Sequence, residues 1–258
     1  MSTYVPGSPS WFDLGSPDVA ASVTFYTGLF GWTANEVSEP EAGGYTTFHH
    51  DGRLVAAVAY HQIDTPYHRP YGDGEHGMPA IWTVYFTTDD ADALTERVKA
   101  AGGEIIMMPM DVMDLGRMAV FADPEQAAFA VWQPLRMRGA EEIGVPGSVR
   151  RVDLVTADAG RTTAFYRDTL GLAAVSGEWQ VAGRTVGGTR ELGVTGAVRP
   201  HWAVTFGVGV GDGVGDVEET VRRAVELGGR VQNPPAVTPL GVRADLVDPH
   251  GAGFSVLS

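Results

Sequence analysis

Apolar and polar positions along this chain change rhythm at regular intervals, and the same changes recur. In "WFDLG", Phe12 and Leu14 alternate with Trp11 and Asp13, a period of two that predicts a strand. Asp18 follows at an N-cap position. Val19, Val23, Tyr26 and Phe30 then recur at helical spacing, and Gly31 supplies a left-handed stop. From Val152 the pattern returns as "VDLVTADAGRTTAFYRDTLGL". At a constant offset of 140 residues, Asp13, Leu14, Asp18, Phe25, Tyr26 and Gly31 reappear as Asp153, Leu154, Asp158, Phe165, Tyr166 and Gly171. The second copy predicts a strand over 151–156, a cap at Asp158 and a helix to Leu170.

A related pattern follows each copy. "IWTVYFTTDDADALTERVKAAGGEIIMMP" predicts a strand, a helix with Leu94, Val98 and Ala101 inward, a stop at Gly102-Gly103, and a strand. "HWAVTFGVGVGDGVGDVEETVRRAVELGGRVQNPP" repeats it, with Trp202, Phe206 and Gly228-Gly229 in matching places. Asp51-Gly52 marks a hairpin, and Gly183-Arg184 is the counterpart of Gly52-Arg53. "FADPEQAAFAVW" and "LVDPHGAGFSVL" each place Pro at the favoured second position of a turn. The chain therefore reads as four units, each a strand, a helix and about three strands. They are expected to pair into two domains, 1–135 and 146–258, joined by the Gly- and Pro-containing linker "PLRMRGAEEIGVPGS".

Composition narrows the function. At 258 residues with 44% hydrophobic and 19% charged positions, there is enough apolar material for packed cores. No apolar run approaches a membrane span, and "MSTYVPGSPSW" has neither the basic start nor the apolar stretch of a secretory signal. The absence of cysteine excludes disulfides, thiolate nucleophiles and Cys-ligated zinc, and fits a cytoplasmic protein. A formal charge of −14 argues against nucleic-acid binding and favours cationic over anionic ligands at long range. "GVGVGDGVG" lacks the Lys-Ser/Thr ending of a phosphate loop.

The "D-x-x-x-S/T-x-x-FY-x-x-x-x-G" helix and the late "DP" hairpin resemble the vicinal oxygen chelate superfamily, which includes glyoxalase I, bleomycin-resistance proteins and extradiol dioxygenases. The wording "FYTGLFGW" is most like the tandem, two-domain glyoxalase-like proteins of actinobacteria. The resemblance covers nearly the whole chain. It implies an α+β fold in which paired βαβββ units form curved mixed sheets, two such domains in tandem. It also implies a monomer whose domains imitate a dimer, or a homodimer.

Metal-dependent relatives place a His on the first strand, a His at the start of the second unit, and a carboxylate after the "DP" hairpin. Counting onto this chain gives Trp11 and Arg151, Thr83 and Ala203, and Ala130 and Ser255. None of these six is a good divalent-metal ligand. No metal and no other cofactor is therefore expected, and Glu191 alone does not make a site. His49, His50, His61, His68 and His76 cluster in sequence, but their spacings match no ligand motif.

Strand alternation names the residues facing each cleft: Trp11 and Asp13, Thr83 and Tyr85, Trp132 beside Ala130, Arg151 and Asp153, and His201 and Thr205. Trp82 and Trp202 have core parity. The Tyr- and Pro-rich loop "HQIDTPYHRPYGDGEHGMP" adds Tyr67, His68 and Tyr71 as loop candidates. Met107, Met108, Met110, Met113 and Met118 read as adaptable packing or a pliable ligand wall. The leading expectation is a metal-independent binder of a small aromatic or polycyclic compound, a natural product or a drug. The alternative is a metal-dependent lyase, isomerase or oxygenase of the same superfamily.

Overall fold

The computed structural model describes residues 4–60, 80–192, 199–209 and 216–258. Local chemistry sets the element boundaries. The Asp18 carboxylate accepts the Ala21 N–H and opens α1 (Val19–Phe30), which Gly31 closes at φ 70°. Asp158 and Gly171 do the same for α3 (Ala159–Leu170). Asp90 caps α2 (Ala91–Ala100) and Asp216 caps α4 (Val217–Glu226). Asp51 and Gly52 both take positive φ, as do Ala182 and Gly183, so both hairpins make the tight turn that suits strand twist.

Among the described residues, sixteen strands follow the fourfold repeat. The first unit holds β1 (Pro9–Ser16), β2 (Thr33–Glu36), β3 (Thr46–His50) and β4 (Arg53–Tyr60). The second holds β5 (Ile81–Thr87), β6 (Glu104–Val112), β7 (Gly116–Ala122) and β8 (Ala128–Pro134). The third holds β9 (Val149–Thr156), β10 (Ala173–Val175), β11 (Glu178–Val181) and β12 (Arg184–Glu191). The fourth holds β13 (His201–Gly207), β14 (Arg230–Thr238), β15 (Gly241–Val247) and β16 (Gly253–Leu257). They form two eight-stranded mixed sheets, ordered β2-β3-β4-β1-β5-β8-β7-β6 and β10-β11-β12-β9-β13-β16-β15-β14. The α+β class with βαβββ units in tandem is as the repeat implied.

Contact density divides the chain into two compact units. One comprises Met1–Trp11, Thr83–Gly139 and Arg151–Ala203; the other comprises Phe12–Trp82, Ala140–Arg150 and Val204–Ser258. In the first, α2 packs on α3, and Phe86, Phe129, Phe165, Tyr166 and Trp202 form one aromatic core. In the second, α1 packs on α4 around Phe25, Tyr26, Phe30, Trp82, Phe206 and Phe254.

Each core is pinned by the same polar relay. Trp202 Nε1 donates to the Tyr166 hydroxyl (2.8 Å), which donates to Asp123 Oδ2 (3.1 Å). Trp82 Nε1 donates to Tyr26 (3.0 Å), which donates to Asp248 Oδ2 (3.1 Å). The other oxygen of each Asp accepts two backbone N–H groups of its own Asp-Pro turn. Trp82 and Trp202 are thus core residues, as their parity indicated. Burial pushes the two tyrosine hydroxyls well above, and the two aspartates above, their ordinary values.

The segment read as a linker makes backbone and side-chain hydrogen bonds in its second part. Glu141 N–H donates to the Leu54 carbonyl (2.7 Å), and its carboxylate accepts the Leu54 N–H (2.9 Å). Gly147 lies against the His50 ring, where a Cβ would come within 2.5 Å of Nε2.

Candidate functional site

In the first compact unit, α2 packs on β6, β7 and β8, and Val84, Phe86, Phe121, Phe129 and Val131 are buried on one face of the strands. The opposite face carries Thr83, Tyr85, Ala130, Trp132, Met118 and Val120, because Tyr85 pairs with Ala130, Val120 with Ala130, and Met118 with Trp132. Met107 lies opposite Val120 on the edge strand. Trp132 is held in place rather than loosely packed. Its Nε1 donates to the Met137 carbonyl (2.7 Å), and its ring lies over Gly116, where a Cβ would stand 2.3 Å from Cζ2. Trp132 is 4% exposed, Tyr85 6% and Trp11 3%, while Met107, Met118 and Val120 are half-buried. The result is an aromatic floor with a methionine rim.

On β9, β12 and β11 of the same unit, the face opposite the buried Val152 and Leu154 is ionic. Arg151 Nε donates to Asp153 Oδ1 (2.8 Å), and Nη2 donates to both Glu178 oxygens (3.2 Å). The guanidinium reaches β11 by crossing Gly188, where a Cβ would sit 2.8 Å from Nη2. Arg190 Nε lies 3.7 Å from Asp153 Oδ2. Burial pulls the Arg151 proton affinity down, but Asp153 and Glu178 outweigh it, so Arg151 stays firmly cationic. Among the described residues, this patch joins two guanidinium groups to two carboxylates.

The remaining candidates scatter. Asp13 belongs to the second compact unit, where the Tyr45 hydroxyl donates to its Oδ2 (3.2 Å). His201, half-buried at the start of β13, makes a 2.8 Å bond from Nδ1 to the Arg199 carbonyl. Tyr67, His68, Tyr71, His61 and His76 lie outside the described residues. His49 and His50 point to opposite sides of β3, as alternation required; His49 Nδ1 meets Asn35 Nδ2 at 3.1 Å. Glu191 is exposed at the end of β12. The sequence reading missed Glu178 and Arg190, the partners that make Arg151 a network. Their signal was present in strand parity, since Arg190 shares a face with Gly188, which pairs with Asp153.

The donor set does not suit a divalent metal. The first-strand positions carry an indole and an ion-paired guanidinium, and neither offers a lone pair. Ala130 and Ala203 offer nothing. Among the described residues, no three His, Asp or Glu side chains come together.

The Glyoxalase/Bleomycin resistance protein/Dioxygenase superfamily model matches residues 8–131 and 148–256. The chain is 67% identical to the anthracycline biosynthesis protein DauV of Streptomyces sp. (strain C5), over 100% of this chain and 95% of DauV. It is 66% identical, with the same coverage, to the anthracycline biosynthesis protein DnrV of Streptomyces peucetius. The Mn(II)-bound glyoxalase from Novosphingobium aromaticivorans shares the fold at TM-score 0.62 and 16% identity, covering 97% of this chain and 82% of that one. The repeat, the sheets and the matches agree: the chain belongs to the Glyoxalase/Bleomycin resistance protein/Dioxygenase superfamily.

Proposed function

We propose that this protein binds a flat polycyclic aromatic natural product of the anthracycline type and does so without a metal ion. The carrying observation is the face formed by Tyr85, Ala130 and Trp132, rimmed by Met107, Met118 and Val120. A planar ring system stacks well on indole and phenol faces, and thioethers adapt to its edges. Trp132 is held in one orientation by the Met137 carbonyl and the bare backbone of Gly116. The whole-length similarity to two anthracycline biosynthesis proteins supports the ligand class. The guanidinium network around Arg151 supports a metal-free reading, because it occupies the first-strand position where metal-dependent relatives need a ligand.

The test is a titration with an anthracycline aglycone, read by tryptophan emission and thermal melting. Binding should quench emission, and at a free concentration 100 times the dissociation constant it should add about 2.7 kcal/mol of stability. Protein purified without chelator should carry far less than one equivalent of transition metal and bind the aglycone equally well after chelation. Stoichiometric metal, with binding lost on chelation, would overturn the proposal.

A further inference from the structure

The fourth repeat unit carries a face equivalent by register to the aromatic floor, and its chemistry is opposite. Thr205 pairs with Ser255 as Tyr85 pairs with Ala130. Asp245 pairs with Ser255 as Val120 pairs with Ala130, and Asn233 lies opposite Asp245 as Met107 lies opposite Val120. Arg243 sits two residues before Asp245, as Met118 precedes Val120. One copy of the repeat therefore presents Tyr, Ala, Val and Met where the other presents Thr, Ser, Asp and Arg.

The polar copy is organised. Arg243 Nε donates to Asp245 Oδ1 (3.0 Å), and Nη2 donates to Ser255 Oγ (2.6 Å). Ser255 Oγ donates to Asp245 Oδ1 (2.5 Å), and Asn233 Nδ2 donates to Asp245 Oδ2 (2.9 Å). Ala244, Leu246, Phe254 and Val256, of the other parity, fill the core beneath α4. Beside this cluster stands Thr205, 0% exposed, whose hydroxyl has no hydrogen-bond partner among the described residues. A buried hydroxyl left unpaired is destabilising, a cost that valine of the same shape would avoid. Retaining threonine is consistent with a hydroxyl that is satisfied by a ligand.

We infer that Thr205, Arg243, Asp245 and Ser255 form a second binding site, specific for a hydroxy-carbonyl group such as a phenol beside a quinone oxygen. The Arg243–Asp245 ion pair sets a donor and an acceptor side by side on one face, the spacing that adjacent carbonyl and hydroxyl groups need. A carbonyl oxygen accepts from Arg243 or Thr205, and an adjacent hydroxyl donates to Asp245. This site lies in the second compact unit and is separate from the aromatic floor described in the first.

The test compares 1,8-dihydroxyanthraquinone with its dimethyl ether by titration calorimetry on the full chain. The wild type should bind the dihydroxy compound about tenfold or more tightly than the ether. Thr205→Val should raise the melting temperature of the free protein yet weaken the dihydroxy compound about tenfold, with little effect on the ether. Asp245→Asn should likewise erase the preference. Equal affinity for both compounds, or a Thr205→Val protein that binds the dihydroxy compound like the wild type, overturns the inference and leaves the aromatic reading standing. Binding of neither compound overturns both.

Discussion

Tyr26→Phe deletes one oxygen atom from the middle of a buried relay, and its cost can be worked from the geometry. The hydroxyl accepts from Trp82 Nε1 at 3.0 Å and donates to Asp248 Oδ2 at 3.1 Å. Without it, the indole N–H is stranded in the core, at about 1–3 kcal/mol, and the carboxylate loses a charge-assisted bond of about 1.5–3 kcal/mol. A total of roughly 3–5 kcal/mol follows, because Asp248 keeps the His250 and Ala252 N–H groups on its other oxygen. The cost should depend on pH. Burial already holds the native Asp248 carboxyl above 3.8, so stability falls as pH rises from 3.8 through the native value and is level above it. The Tyr26 hydroxyl favours the ionised form, and its removal pushes the native value higher still. Tyr26→Phe should therefore be more damaging at about pH 7 than at about pH 3.5. Urea unfolding followed by far-UV circular dichroism at both pH values measures this. A cost below about 1 kcal/mol at neutral pH, or one identical at both pH values, would refute the relay as an energetic unit. Tyr166→Phe, in the equivalent relay, should behave alike.

Two smaller perturbations bear on the candidate site and its frame. Gly116→Ala would place a methyl group 2.3 Å from the Trp132 ring; it should displace the indole, red-shift tryptophan emission and cost about 1–3 kcal/mol. An unshifted emission spectrum would show that Trp132 does not depend on that bare backbone. Asp158→Ala removes the carboxylate that accepts the Arg161 N–H at 3.0 Å and should lower stability by about 1 kcal/mol, checked by the urea midpoint.

The sequence by itself determined the elements, their fourfold repetition and the faces of the strands. These are local quantities. An Asp cap, a left-handed Gly and a period of two act within a few residues, so Asp18, Gly31 and the alternation through Trp11–Leu14 were readable without the fold. The residue types at Trp11, Arg151 and Ala130, the positions counted from the family pattern, were likewise legible from the sequence. What the sequence could not supply was partnership across the chain. Tyr26 and Asp248 lie 222 residues apart, and no periodicity joins them; only packing α1 against α4 brings the hydroxyl to the carboxylate. Strand parity put Arg151 and Asp153 on one face, but only the fold shows Arg151 lying across the bare Gly188 of β12 to reach Glu178. The polar face at Arg243, Asp245 and Ser255 stayed hidden for the same reason. Each residue is unremarkable in its own strand, and the register of three strands makes them one cluster. Hydrogen bonds and ion pairs act over a few ångströms of space regardless of sequence separation, so tertiary structure alone decides which buried polar groups are satisfied and which, like the Thr205 hydroxyl, are left without a partner.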